Sequence, residues 1–168
     1  MPLANLANLL GWEFTVVDGR ANYATRERFP AAGKIIVAKP EQALSHLSID
    51  ERTVFALMTH NYNYDLAMLE QLVHCPVQYI GLLGPKKKLD RMLEELAGKG
   101  VALDTYQRSR IYGPVGLDIG AETPEEIALS VAAEIKAVLS GKNASPLRSK
   151  AEAIHLRTEQ VNPVSAIS

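Results

Sequence analysis

The sequence predicts an α/β fold in which a mostly parallel sheet carries helices on both faces. Short continuous runs rich in Val, Ile and Leu alternate along the chain with segments whose apolar residues recur at three- and four-residue spacing. Strands covered on both faces read as unbroken apolar runs, and successive parallel strands need a helix-length crossover between them. At 168 residues and 47% hydrophobic, the chain can bury one sizeable core.

The elements follow in order. Leu3, Leu6, Ala7 and Leu10 form one helical stripe, Pro2 suits a first turn, and Gly11 suits the position past the helix end. Trp12 to Val17 reads as a strand closed by Asp18-Gly19-Arg20. A second strand covers Ile35, Ile36 and Val37, followed by a helix from about Pro40 to Leu47. Thr53 to Met58 is a third strand, and Tyr64 to Val73 is helical through Leu66, Leu69, Leu72 and Val73. Val77 to Ile80 is a fourth strand ending in Gly81-Leu82-Leu83-Gly84, before a helix faced by Leu89, Met92, Leu93 and Leu96. A short strand is expected near Ile111-Tyr112. The last helix starts at Thr123, with Pro124 in its first turn and Glu126 closing a capping box, and ends near Ser140-Gly141. This is the pattern of a Rossmann-like, three-layer α/β/α fold. It divides the chain into a domain at 1–141 and a tail at 142–168, with a helical piece expected around Ser149 to Arg157.

Charge and cysteine usage exclude several classes. Eighteen Lys and Arg against nineteen Asp and Glu leave no global field for nucleic acid or an anionic membrane. Cys75 stands alone, so neither an internal disulfide nor a cysteine-rich zinc site can form. No stretch approaches the roughly 18 apolar residues of a membrane span. The N-terminus lacks the basic region of a secretory signal, and a cytoplasmic location is expected.

In open parallel sheets ligands bind beyond the carboxyl ends of the strands, so those ends hold the candidate residues. Asp18 stands where dinucleotide-binding folds place an acid on ribose hydroxyls, and Arg20 could add a phosphate contact. A turn-capping role is the alternative for Asp18. Thr59 and His60 follow the third strand, where His60 serves as a ligand contact, an acid/base group or a structural residue. Gly81, Gly84, Lys86 and Lys87 lead from the fourth strand into a helix start. Glycines permit close backbone approach, free amides attract anions, and lysines opposing the helix dipole make sense beside a phosphate. The alternative is a solvated basic turn. Asp118 and Glu122 lie in the glycine-bracketed loop before the last helix, as ligand contacts or as loop geometry. No catalytic set is apparent. His46, His74 and His155 read as surface residues, and Cys75 as a small buried hydrophobe.

Together these loops resemble one family. Val17-Asp18-Gly19-Arg20, Tyr23 through Pro30, Met58-Thr59-His60, Tyr79 through Gly84 and Gly116 through Ala128 are similar, in order, to the Rossmann domain of XdhC/CoxI proteins. The resemblance runs from about residue 3 to 141. It implies an accessory factor for xanthine dehydrogenase and related molybdenum hydroxylases. Such a factor binds molybdenum cofactor (molybdopterin), supports its sulfuration and delivers it to the apo molybdenum hydroxylase. A cysteine desulfurase is an implied partner, and a homodimer is compatible with the family. Members carry a separate N-terminal domain, and their Rossmann unit opens with a strand and a Gly-rich turn ahead of the helix that here starts at Pro2. The chain is therefore expected to be a fragment, or to have its start assigned inside the gene. Two other readings stay open: an NAD(P)-binding oxidoreductase domain using Asp18 and His60, and an interaction fragment with no competent site.

Overall fold

The computed structural model describes residues 1–149. Helix α1 spans Pro2–Leu9, and β1, Thr15–Asp18, runs parallel to β2, Lys34–Val37. Helix α2 covers Pro40–Ala43 and continues as a 3-10 turn at Leu44–His46. Strand β3, Phe55–Leu57, is followed by α3, Tyr62–Leu72, then β4, Ile80–Leu82, and α4, Lys86–Gly98. A short α5, Thr105–Ser109, precedes β5, Ile111–Tyr112, and α6 spans Pro124–Leu139. All ladders are parallel, as expected for this fold class, but they form two pieces, β1-β2 and β3-β4-β5.

Two apolar clusters sandwich the strands. Leu57, Ile80 and Leu82 join Leu69 and Leu72 of α3 with Leu89, Met92 and Leu96 of α4 on one face. Tyr79 joins Val131 and Ile135 of α6 on the other, with Leu3 of α1 packed against them. The alternation of Tyr79 with Ile80 is the period-two signature of a strand covered on both sides.

The helix ends follow local chemistry. Thr123 and Glu126 make the expected capping box, and Gly11 and Gly141 take positive φ of 69° and 60° beyond α1 and α6. Helix α5 falls outside the expected elements, although Asp104 and Gln107 form a capping box of the same kind.

Three strand boundaries differ from expectation. β1 starts at Thr15 rather than Trp12 and includes Asp18, while β3 is trimmed to Phe55–Leu57. β4 is shifted C-terminally to Ile80–Leu82. Buried Arg110 explains that shift: its guanidinium donates to the carbonyls of Val73, Cys75 and Val77, so Val77 is bound to a side chain instead of a neighbouring strand. Cys75 is half-buried beside it, and burial pushes the thiol up, with Arg110 acting in the opposite direction. An inert packing role suits that environment. His46 and His74 are exposed, whereas His155 and most of the helical piece expected at 149–157 lie outside the described residues. Among the described residues, no helix is long and apolar enough to cross a membrane.

Candidate functional site

The carboxyl ends of β1, β2 and β3 open onto a cavity of about 230 Å³, lined by Asp18, Gly19, Arg20, Lys39, Pro40, Thr59, Asn61 and Tyr64. Asp18 closes β1 and is buried. Its Oδ1 accepts from Arg20 Nε at 2.9 Å and its Oδ2 from Arg20 Nη2 at 2.9 Å. Burial raises the Asp18 pKa, but the hydrogen bonds and charge of Arg20 outweigh it and hold the carboxyl below its ordinary range. Arg20 also donates to the Thr59 carbonyl at 2.9 Å, and its guanidinium lies 3.9 Å from the Tyr23 ring centroid. Asp18 and Arg20 thus form a locked fork that joins the end of β1 to the end of β3.

Thr59 is the next link. Its Oγ1 donates to Asp65 Oδ1 at 2.7 Å, and Asp65 Oδ2 accepts from Lys88 Nζ at 2.8 Å. Lys88 also donates to the Leu83 carbonyl at 3.1 Å. The three strand ends after β1, β3 and β4 are therefore stitched along one rim. Asp65 sits in the first turn of α3 with Asn61 as N-cap, the Asn61 side chain accepting from the Tyr64 amide. Tyr64 then reaches across to donate from its hydroxyl to the Ala38 carbonyl at 2.9 Å.

The candidate residues divide accordingly. Asp18, Arg20 and Thr59 line the cavity. His60 is exposed beside it, with φ of 57°, a left-handed conformation uncommon for a side-chain-bearing residue. Gly84, also at positive φ, leads to Pro85, the N-cap of α4, and Lys86 and Lys87 are exposed in the first turn. They border the rim through Lys88 and Leu83 rather than lining the cavity. Gly81 lies within β4, where an added Cβ would sit 2.6 Å from Val115 and 2.8 Å from Tyr79. Its missing side chain serves packing. Asp118 and Glu122 are exposed, and neither lines the cavity.

Lys39, Asn61, Tyr64 and Asp65 are the site residues that the sequence reading missed. The signal for Lys39 was present, since Ala38-Lys39 follows β2 as Gly19-Arg20 follows β1. The cavity combines an exposed lysine, a fixed Asp-Arg fork and polar rim groups, a set suited to a small polar ligand bearing negative charge.

The model of the XdhC Rossmann domain matches residues 1–135. The chain belongs to the XdhC Rossmann domain family. It is 42% identical over 135 residues to a protein of Bacillus subtilis described as a probable xanthine dehydrogenase subunit, covering 80% of this chain and 38% of that one. It is 36% identical over 144 residues to the uncharacterized protein YqeB of Escherichia coli, covering 86% and 26%. A crystal structure from Bacillus halodurans, described as a xanthine dehydrogenase, superposes with a TM-score of 0.72 at 32% identity over 83% of this chain and 41% of that one. The chain spans less than half the length of these relatives.

Proposed function

We propose that this XdhC Rossmann domain is the cofactor-handling part of an accessory factor for a xanthine dehydrogenase-type molybdenum hydroxylase, where it holds the phosphate-bearing end of molybdenum cofactor. The observation that carries the reading is the stitched rim, where Arg20, Thr59, Asp65 and Lys88 draw the ends of three strands together beside Lys39 and the start of α4. The family membership supports it, as does a relative whose description places it in a xanthine dehydrogenase.

The donor chemistry fits the anionic end of such a cofactor. Lys39 lines the cavity, and Lys86 and Lys87 are exposed on the first turn of α4, where amides lack helical partners. At about 230 Å³ the cavity lies below the roughly 300–1,000 Å³ typical of small-molecule sites. It takes one end of the ligand, and the remainder would lie along the rim towards Gly84. When bound, the cofactor supplies the molybdenum chemistry of the recipient enzyme. The residues of this chain bind, orient and release it. Sulfuration and insertion would then require the apo-hydroxylase and a sulfur donor such as a cysteine desulfurase.

An NAD(P)-dependent oxidoreductase has less support. That role asks Asp18 to accept ribose hydroxyls, and both of its oxygens are engaged by Arg20. The deciding experiment mixes the protein with molybdenum cofactor released from a molybdoenzyme, separates the mixture by gel filtration and measures molybdenum in the protein peak. Stoichiometric retention is expected. Molybdenum eluting entirely with small molecules, together with tight NAD(P) binding by calorimetry, would replace the proposal with the oxidoreductase reading.

A further inference from the structure

Hydrogen bonds around the cavity have a direction, and direction limits what the lining can offer a ligand. A hydroxyl carries one proton and two acceptor lone pairs. Thr59 Oγ1 lies 2.7 Å from Asp65 Oδ1, and Asp65, without exposed surface, is paired at 2.8 Å with the Lys88 ammonium. A carboxylate so paired has no proton to give, so the Thr59 proton is directed at Asp65. The longer contact from Thr59 to the Asn61 carbonyl, 3.4 Å, loses the competition for that proton. The Thr59 oxygen also accepts from the Asn61 amide at 3.2 Å, which leaves it one lone pair and no donor. Tyr64 is committed in the same way, because its hydroxyl lies 2.9 Å from the Ala38 carbonyl, which can only accept. Asp18, held ionised by Arg20, also only accepts. Donors come from three other groups. Arg20 spends Nε and Nη2 on Asp18 and the Thr59 carbonyl and keeps Nη1. Lys39 brings its ammonium, and Asn61, whose side-chain oxygen accepts from Tyr64, brings its amide nitrogen. An anion in this cavity therefore meets cationic donors together with oxygens that can only accept.

We propose that the cavity selects a phosphate that still carries a proton, the terminal monoester phosphate of its ligand, and that Thr59 is the specificity-determining residue. The inference rests on the phosphate-holding role proposed above and names the form of phosphate held. A singly protonated monoester donates its P–OH to the Thr59 oxygen, while its other oxygens accept from Lys39, Arg20 and Asn61. Sulfate, which has no proton at neutral pH, sets an oxygen against that lone pair instead. A phosphodiester has only ester and ionised oxygens and meets the same repulsion. Sites built to receive a hydroxyl proton discriminate against analogues that lack it, because a desolvated acceptor is left unpaired. Charge alone would rank these anions differently, since the sulfate dianion is drawn to Lys39 and Arg20 more strongly than a monoanionic phosphate. The buried Asp65–Lys88 pair thereby gains a second role, because it fixes which way the Thr59 hydroxyl is turned.

The test titrates the 168-residue chain with sulfate, inorganic phosphate, methyl phosphate and dimethyl phosphate at about pH 6, where a phosphomonoester is partly protonated. Amide NMR shifts of Gly19, Thr59 and Asn61 report occupancy of the cavity. Methyl phosphate should bind at least about tenfold more tightly than sulfate. The same margin is expected over dimethyl phosphate, which matches the charge of protonated methyl phosphate but lacks its proton. Thr59→Ser keeps the oxygen and should keep the preference, whereas Thr59→Val removes the oxygen and should remove most of it. The ranking in the parent chain decides the matter even where Thr59→Val fails to fold. Sulfate bound by the parent as tightly as methyl phosphate would overturn the proposal and leave a site that reads charge alone. Inorganic phosphate preferred strongly over methyl phosphate would assign the cavity to the free ion and overturn the monoester. A preference retained in folded Thr59→Val would overturn the role of Thr59. Absence of shifts with all four anions would overturn the proposal and remove the cavity from the cofactor reading. Lost selectivity alone leaves retention of molybdenum cofactor in gel filtration untouched, so the two failures are distinguishable.

Discussion

Lys88 Nζ lies 2.8 Å from a carboxylate oxygen of Asp65, a residue with no exposed surface. The same carboxylate accepts from the Thr59 hydroxyl, and the same ammonium donates to the Leu83 carbonyl. One ion pair thus fixes the chain after β3 relative to the start of α4. Removing Lys88 strands a buried carboxylate, so Lys88→Met should destabilise the fold by about 3–5 kcal/mol. Asp65→Asn should cost less, because the amide keeps an acceptor for Thr59 and the lysine retains a route to water. The double variant should recover much of the loss, giving a coupling energy of about 1–3 kcal/mol by urea denaturation. Additive effects in the cycle would mean the pair does not act as a unit.

Lys86 and Lys87 should show opposite effects on stability and binding. Cations in a first turn oppose the helix dipole, so Lys86→Glu with Lys87→Glu should stabilise the free protein by about 0.3–1 kcal/mol per site. The same change should weaken binding of inorganic pyrophosphate at least tenfold if the rim holds a phosphate. Thermal unfolding and calorimetry read the two effects separately. Unchanged pyrophosphate affinity would leave the basic turn as ordinary surface.

Much of the fold was legible because its signals are local. Thr123, Pro124 and Glu126 mark the start of α6 within four positions, and the capping box forms as the spacing implies. Asp65 was not legible in this way. An acidic residue in a first turn reads as a solvated partner of the helix dipole, and its burial depends on Lys88, 23 positions later. The start of β4 was obscured for the same reason, since Arg110 reaches back 33 positions to hold Val77. The rim position of Asp18 could be read from strand order, but its engagement by Arg20 is a matter of side-chain geometry. The break between β1 and β3 is a property of topology and leaves no local mark in either strand.

Acid should loosen the β1 rim. The Asp18 pKa in the folded chain is lowered, because Arg20 outweighs the effect of burial. The contribution of Asp18 is therefore fully present above its unfolded value of about 3.9, and is lost as pH falls through the lower folded value. Asp18→Asn should be less stable than the parent at neutral pH, and the difference should shrink as pH falls below about 4. Denaturant midpoints for both proteins across that range provide the measurement. A stability gap independent of pH would show that Asp18 acts through packing, not through its charge.

Gly81 separates a packing role from a ligand role. Tyr79, the residue before β4, lies two positions from Gly81, is fully buried and donates from its hydroxyl to Glu134 at 2.7 Å. Glu134 also accepts from the Gly116 amide at 2.9 Å, so it joins α6 to the loop after β5. A methyl group at position 81 would meet Val115 at 2.6 Å and the Tyr79 ring at 2.8 Å, both well inside contact distance. Gly81→Ala should therefore cost about 1–3 kcal/mol through overpacking and raise the mobility of the loop after β5. Because Gly81 does not line the cavity, variant protein that remains folded should bind pyrophosphate as the parent does. Wild-type stability combined with lost pyrophosphate binding would reverse the assignment and place Gly81 at the ligand.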